Sequence, residues 1–184
     1  MGKLILKNVR FSYVNVFEPR ENDRGKMEYS VCILLPKSDK VQIKAVQAEI
    51  DALTPDALSS IFKGKSKLPS TFKIPLHDGD EEKEGNATFE GMMYLNARSQ
   101  RKPEVIDRAK KPITPESGDF YSGAWGMASV NLYTFDTEGA KGIGVGLNNI
   151  LKTKDDTKFA GGSTAAEDFG GVEFDDDEDA GYLN

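Results

Sequence analysis

Five stretches of the first 160 residues are rich in β-branched, aromatic and other apolar residues and predict β-strands, with a clear period of two in parts of the first, third and fourth. The predicted strands are residues 3–17, with a bend near Asn8, and residues 29–35, 88–99, 125–135 and 142–151. A long basic loop, rich in proline and glycine, separates the third strand from the fourth.

The period changes to that of a helix after the second strand. Ser38 or Asp39 can cap this helix, and Thr54-Pro55 predicts the start of a short second helix. The apolar face of the first helix is formed by Ile43, Val46, Ile50 and Leu53. We therefore expect a mainly β fold with a helical insertion. A five-stranded barrel of the oligonucleotide/oligosaccharide-binding (OB) type fits best, although the helix of that barrel normally follows its third strand.

The two faces of the 88–99 strand differ in chemistry. Phe89, Leu95 and Ala97 share the face that we expect to lie in the core. The opposite face carries Tyr94, Asn96 and Arg98, which are a ring, an amide and a cation at intervals of two residues. Single-stranded nucleic acid is bound by such a mixture, because rings stack on bases and cations meet phosphates.

Similar side chains recur elsewhere. Asn131 and Tyr133 share one face of the 125–135 strand, and Arg10 and Tyr13 lie on the first strand. The alternative is structural, with each ring in the core and each cation on a solvated surface. Recurrence on several strands, beside a basic loop, favours the binding interpretation.

The distribution of charge divides the chain in two. The 24 basic and 30 acidic residues give a net charge of −6, but eight acids lie in the last 24 residues, which hold no basic side chain. Without them the chain has 24 basic and 22 acidic residues, a net charge of +2. We therefore expect a folded domain at 1–160 and a disordered acidic tail at 161–184, of the kind that recruits partners.

Other function classes find little support. The sequence contains no run of 18 apolar residues of the kind that would predict a membrane span, and its first residues lack the pattern of a secretory signal. The single Cys32 and the single His77 exclude a disulfide framework and a Cys/His zinc site. We expect a soluble cytosolic protein with a buried, inert Cys32 and no cofactor.

Two further motifs leave alternatives open. Asp78, Asp80 and Glu82 could hold a divalent metal for phosphodiester hydrolysis, or form a solvated loop. The alternating glycines at 142, 144 and 146 lack the spacing of a phosphate-binding loop. They are more typical of tight curvature or close backbone approach within a strand.

Several stretches of the chain resemble one known family. They are VRFSY (9–13) with FEP (17–19), YS (29–30) with LPKSD (35–39), PLHDGDE (75–81), and KGIGVGLNNI (141–150) with Lys152. In this order they are similar to the OB-fold single-stranded-DNA-binding proteins of tailed bacteriophages, a family first catalogued as a domain of unknown function. The resemblance implies a barrel that coats single-stranded DNA without sequence preference during replication or recombination, with the helical insertion as a family elaboration.

The leading hypothesis is thus a non-enzymatic, phage-encoded protein in the cytoplasm of an infected or lysogenic bacterial host. Tyr94 and Tyr133 are the first choices for base stacking. The residues nominated for nucleic-acid binding are Arg10, Tyr13, Tyr94, Asn96, Arg98, Arg101, Lys102, Tyr121, Asn131, Tyr133, Lys141 and Lys152.

The acidic tail is expected to recruit phage or host replication or recombination proteins and to compete with DNA. The tail residues nominated for partner binding are Asp175, Asp176, Asp177, Glu178, Asp179, Tyr182 and Leu183. The rival hypotheses are a metal-dependent nuclease that uses the 78–82 acids and a phage structural protein with a charged arm. Self-association into a homo-oligomer and the choice between RNA and DNA stay open.

Overall fold

A computed structural model describes residues 2–137 and 139–159. The strands are β1 (Leu4–Glu21), β2 (Met27–Pro36), β3 (His77–Asp78), β4 (Met92–Ser99), β5 (Glu104–Ile106), β6 (Trp125–Thr137) and β7 (Ala140–Lys154). The helices are α1 (Lys40–Ser60), α2 (Gly79–Glu82) and a 3-10 turn at Pro115–Ser117. Neither α-helix in these ranges is long and apolar enough to cross a membrane. The nominated tail residues lie outside the described residues.

Five strands close into a barrel in the order β1-β2-β4-β7-β6, because β6 also pairs with β1. The pairing of β4 with β7 is parallel, with Ala97 opposite Val145 and Arg98 opposite Gly146. The other four pairings within the barrel are antiparallel. The predicted mainly β fold with a five-stranded OB-type barrel is confirmed.

Alternation along the strands fills the barrel with apolar side chains. Phe11, Ile33, Leu95 and Leu132 are fully or almost fully buried in one continuous core. Burial of such a side chain stabilises the fold by roughly 1.5–3 kcal/mol relative to its exposure. Cys32 is also buried, as expected, and burial raises the pKa of its thiol to about 12, which makes the thiol inert.

β1 bends twice, and both bends use backbone of left-handed conformation. Asn8 has φ of 50° where the pairing with β6 shifts register between Leu6 and Val9, which confirms the predicted bend. Tyr13 has φ of 46° where the pairing with β2 shifts between Ser12 and Asn15. Asparagine adopts this conformation comparatively easily, whereas a bulky residue does so rarely. The second bend is not predicted by the sequence pattern.

The helical insertion differs from its prediction in one respect. Asp39 caps α1 by accepting a hydrogen bond from the Gln42 amide at 3.1 Å, but the helix continues through Pro55. Leu53 and Ala57 are both buried, so the apolar face extends across the proline. The predicted second helix is therefore the last part of α1, because burial of this face outweighs the lost backbone bond.

β4 begins at Met92, four residues later than predicted. The preceding residues form a turn that ends at Gly91, whose φ is 70°. The turn interrupts the period of two, so Phe89 is not on the core face with Leu95. It packs instead against Tyr94 on the outer face of the barrel.

Candidate nucleic-acid interface

Backbone pairing aligns three rows of side chains on the outer face of β1, β2 and β4. The rows are Arg10–Leu34–Tyr94, Ser12–Cys32–Asn96 and Asn15–Ser30–Arg98. The third row continues through Gly146 of β7 to Asn131 of β6. Directly paired residues lie on the same face of a sheet, so this row forms a belt around much of the barrel.

The second and third rows form the floor of an open groove of about 250 Å³, hereafter the binding groove. Its lining includes Tyr13, Asn15, Ser30, Asn96 and Arg98, together with residues of the β1–β2 loop. The Tyr13 side chain is 62% exposed, and its ring lies 6.4 Å from that of Phe89, nearly parallel to it. One face of this ring is therefore supported, while much of the side chain remains accessible to a ligand.

The binding groove is lined by two arginines, Arg20 and Arg98, and by three carboxylates, Glu21, Asp23 and Glu28, one of which competes for Arg98. The Arg98 guanidinium forms an ion pair with Glu28 at 3.1 Å, yet 57% of the Arg98 side chain is exposed. The Glu28 side chain is only 17% exposed, so its carboxylate loses a partner in a poorly solvated place when Arg98 turns away. A phosphate therefore competes with Glu28 for the guanidinium.

The glycines of β7 leave the belt open beyond Arg98. A Cβ atom added at Gly144 would lie 2.7 Å from the ring of Tyr133, so this ring lies directly over the backbone. At Gly146 an added Cβ would make an ordinary contact with Asn131 at 3.4 Å. The predicted close approach is confirmed for Gly142, where an added Cβ would lie 2.5 Å from the Lys73 carbonyl oxygen, and for Gly144. Tyr133, 37% exposed, borders the open strip.

The first row is covered. Tyr94 is only 6% exposed, with the Phe89 ring 5.0 Å away edge-on and the His77 ring stacked at 4.9 Å. Phe159 packs against the same cluster. Tyr94 therefore lies on the outer face, as predicted. Its ring is not open to a base, however, because the turn before β4 and the chain after β7 cover it.

The chain after β7, residues Asp155–Phe159, forms a strap across the outer face beside the first row. Arg10 holds it by donating a hydrogen bond to the carbonyl of Thr157 at 2.8 Å, and it donates another to the carbonyl of Gly123, before β6, at 2.9 Å. The Arg10 guanidinium also lies 4.2 Å from the centre of the Phe159 ring. Arg10 is therefore occupied within the protein.

The two carboxylates of the strap, Asp155 and Asp156, have the kinds of partners that also bind a phosphate: a cation and hydrogen-bond donors. Asp155 lies 2.6 Å from the Lys152 ammonium and accepts a hydrogen bond from the Tyr121 hydroxyl at 2.8 Å. Asp156 accepts one from the indole of Trp125 at 2.8 Å. These partners lower the pKa of both carboxyl groups, through Lys152 for Asp155 and through Trp125 for Asp156. Arg10, Tyr121 and Lys152 thus meet at one place, but the strap occupies them.

The other nominated cations lie apart from the binding groove. Arg101 lines a second pocket at the end of β4, and Lys102 is exposed next to it. Lys141 lies 3.5 Å from Asp136 and 5.3 Å from the ring of Phe62. Gly142 lies on the same face of β7 as Gly144 and Gly146, and Lys141 is its neighbour in the chain. Since successive residues of a strand point to opposite faces, Lys141 points away from the face that carries the belt.

The side chains of the acidic run are engaged by their neighbours. The Lys37 ammonium lies 2.6 Å from Asp78 and 2.7 Å from Asp80, and it lowers the pKa of both carboxyl groups. Glu82 pairs with His77 at 2.8 Å. In the described parts of the chain no three potential metal-ligating residues come together. The nuclease hypothesis therefore loses its proposed metal ligands.

Sequence reasoning missed Asn15, Ser30 and Glu28 in the binding groove. Asn15 lies two residues after Tyr13, which is a usable signal, but the bend at Tyr13 disturbs the alternation. Ser30 and Glu28 join the site through strand register, and register is not readable from one strand alone.

Comparison with known proteins gives a consistent result. The profile of the family described as Enterobacter phage Enc34, ssDNA-binding protein, matches residues 2–181. Protein p50 of Acyrthosiphon pisum secondary endosymbiont phage 1 is 33% identical over 181 residues, which cover 95% of this chain and 93% of p50.

Two solved structures are also similar. The single-stranded DNA-binding protein from bacteriophage Enc34, in complex with ssDNA, is 27% identical with a TM-score of 0.74, over 86% of this chain and 90% of that one. gp2.5, a single-stranded DNA binding protein of bacteriophage T7, has a TM-score of 0.61 at 15% identity, over 94% of this chain and 96% of that one. The second likeness concerns the fold alone.

Proposed function

Because the chain belongs to the family of the Enterobacter phage Enc34 ssDNA-binding protein, we propose that it binds single-stranded DNA on the outer face of its barrel, without enzymatic activity. The observation that carries this proposal is the open belt of the binding groove, with Tyr13, Asn96 and Arg98, which continues past Gly146 to Asn131 and Tyr133. Rings stack on any base and the cation meets any phosphate, so little sequence preference is expected.

Titration of fluorescent single-stranded and duplex oligonucleotides at two salt concentrations tests the proposal. A duplex hides the faces of its bases, so stacking on Tyr13 or Tyr133 is available only to single strands. We expect tighter binding of single strands and a strong decrease of affinity with salt, because bound phosphates release counterions. Equal affinity for both forms would reject the proposal and favour the structural-protein alternative.

The biological setting follows from the family. Coating of exposed strands would serve phage replication or recombination in the cytoplasm of the bacterial host. In this assignment, residues 1–160 form the DNA-binding domain. The acidic residues 175–179, with Tyr182 and Leu183, recruit a replication or recombination protein of the phage or the host.

Competition between the C-terminal segment and DNA has support in the strap. The strap occupies Arg10, Tyr121 and Lys152 and helps to cover Tyr94, and all four are nominated DNA-binding residues. Its two carboxylates and the Phe159 ring offer a negative charge and a ring to the same partners that a nucleotide would use. The chain that continues from the strap therefore starts at the DNA-binding face.

Deleting residues 167–184 should tighten DNA binding at ~50 mM salt and have little effect at ~300 mM. A tethered segment reaches an effective concentration in the millimolar range, and salt weakens its exposed ionic contacts. The double variant Asp155→Asn/Asp156→Asn should act in the same direction, whereas Asp51→Asn/Asp56→Asn on α1 removes the same charge away from the strap and is a matched control. Equal affinities of the full-length and truncated proteins at low salt would show that the tail does not compete.

A further inference from the structure

A second pocket lies at the end of β4, outside the binding groove. Its volume is about 230 Å³, and it is lined by Lys3, Ser99, Arg101, Leu147, Asn148 and Asn149. The lining contains two cations, two amides and a hydroxyl, and it contains no carboxylate. Such a lining suits an anion, because cations and amide groups supply hydrogen-bond donors and nothing in it repels negative charge.

Local hydrogen bonds hold the polar groups of this pocket in place. The Ser99 hydroxyl accepts a bond from the Arg101 amide at 3.1 Å and donates one to the Arg101 carbonyl at 2.7 Å, which fixes the turn that carries the guanidinium. The Asn149 side-chain oxygen accepts a bond from the Glu104 amide at 3.0 Å. Its oxygen is thus engaged, and its NH₂ group is left as a donor for a ligand.

The belt of the binding groove leads directly to this pocket. Arg98 pairs with Gly146, and Gly146 pairs with Asn131 of β6. Leu147 and Asn148 follow Gly146 in the chain, and Arg101 follows Arg98 by three residues. Lys3 precedes Leu4, which pairs with Val130, the neighbour of Asn131. Because Gly146 has no side chain, a DNA strand can pass over the backbone of β7 from Arg98 toward Lys3.

We propose that this pocket, hereafter the exit pocket, binds phosphodiester groups of the DNA strand after it has crossed Gly146. The inference rests on the proposed function and extends its site: the strand bends around the barrel from Tyr13 and Arg98 to Lys3 and Arg101. The exit pocket therefore contributes only when the bound strand is long enough to reach it.

A length series tests this inference with the full-length protein. The double variant Lys3→Ala/Arg101→Ala removes both cations, and Lys40→Ala/Lys44→Ala at the start of α1 removes the same charge away from the site. Single strands of about 4 and about 16 nucleotides represent the limits of the site size known for OB folds. Thermal melting of each variant verifies that the barrel is intact.

For the long strand we expect the exit-pocket variant to reduce the salt slope by up to about 1.4, since each lost phosphate contact removes about 0.7. If the variant and the unaltered protein bind equally at 1 M salt, this difference in slope makes the variant bind up to about 60-fold more weakly at ~50 mM salt. Binding of the short strand should be unchanged within about twofold, as should binding of both lengths by the α1 control.

Three results would overturn the inference. Equal losses in the exit-pocket and control variants would show that only net charge matters. An equal loss for short and long strands would place Lys3 and Arg101 within the first binding groove. An unchanged salt slope on the long strand would show that no phosphate enters the pocket. Failure of the proposed function itself has a different signature, because the unaltered protein would then bind neither length better than duplex.

Discussion

Replacing Tyr13 with glycine separates the binding role of its ring from the stability of the barrel. Tyr13 combines φ of 46° with a side chain that is 62% exposed at the edge of the binding groove. Left-handed backbone costs a non-glycine residue roughly 1–2 kcal/mol, and such strain is retained where the surroundings or the function require it. The variant Tyr13→Gly removes the strain and the ring together.

The effects on stability partly cancel. Relief of about 1–2 kcal/mol is opposed by about 0.5–1 kcal/mol of extra backbone entropy in the unfolded glycine chain. Loss of the covered part of the side chain, which is 62% exposed, costs about 1–2 kcal/mol, and loss of the ring pair with Phe89 at 6.4 Å costs about 0.5 kcal/mol more. The net result lies between little change and a destabilisation of about 2.5 kcal/mol, so the melting temperature should fall by no more than about 10 °C.

The effect on binding is measured separately, in a barrel that stays folded. One base stacked on an aromatic side chain contributes about 1–3 kcal/mol, which corresponds to a loss of affinity of about 5- to 150-fold. Fluorescence titration with a single-stranded oligonucleotide measures the loss, and melting of the same sample measures stability. Tyr13→Phe retains the ring and should bind within about twofold of the unaltered protein. Unchanged affinity of Tyr13→Gly in a folded barrel would refute the stacking role.

Three other predictions follow from the outer face and its neighbours. Glu28→Gln should release Arg98 and tighten DNA binding at low salt, and no change would mean that the 3.1 Å ion pair does not compete with phosphate. Tyr133→Ala should weaken DNA binding by roughly 1–3 kcal/mol in a barrel that stays folded, whereas a fall in melting temperature with unchanged binding would identify its ring as structural. Because Lys37 lowers the pKa of Asp78 and Asp80, the folded state binds their protons less tightly than the unfolded state does. The stabilisation is therefore present above the ordinary carboxyl value of 3.8 and lost as pH falls below it. Melting of Lys37→Met between pH 5 and pH 2 should show a weaker acid dependence, and an identical profile would contradict the assignment.

Much of the fold could be predicted because it depends on local pattern. Alternation places Leu95 in the core and Arg98 on the outer face, and both placements are confirmed. Period alone, however, does not report what covers an outer face. Tyr94 is covered by Phe89 and Phe159, which reach it through a turn and through the chain after β7.

Contacts distant in sequence explain the rest of the difference. Arg10 was nominated for its charge, but its partner Thr157 lies at the other end of the described chain. The exit pocket is lined by Lys3 just before β1, Arg101 just after β4 and Asn149 within β7. No local pattern links such residues, since only strand register and barrel closure bring them together.

The pairing of β1 with β6 also has a consequence for how the chain folds. Leu4 pairs with Val130, and β4 pairs with β7, so barrel closure joins the start of the chain to its last strands. Such non-local pairing lowers the folding rate, because the entropy of closing long loops is lost before the contacts form. During synthesis, the apolar side chains of β1 and β2 must remain exposed until β6 and β7 have left the ribosome. Refolding of the full-length protein should therefore be slow, and aggregation of the unclosed half-barrel should increase with protein concentration.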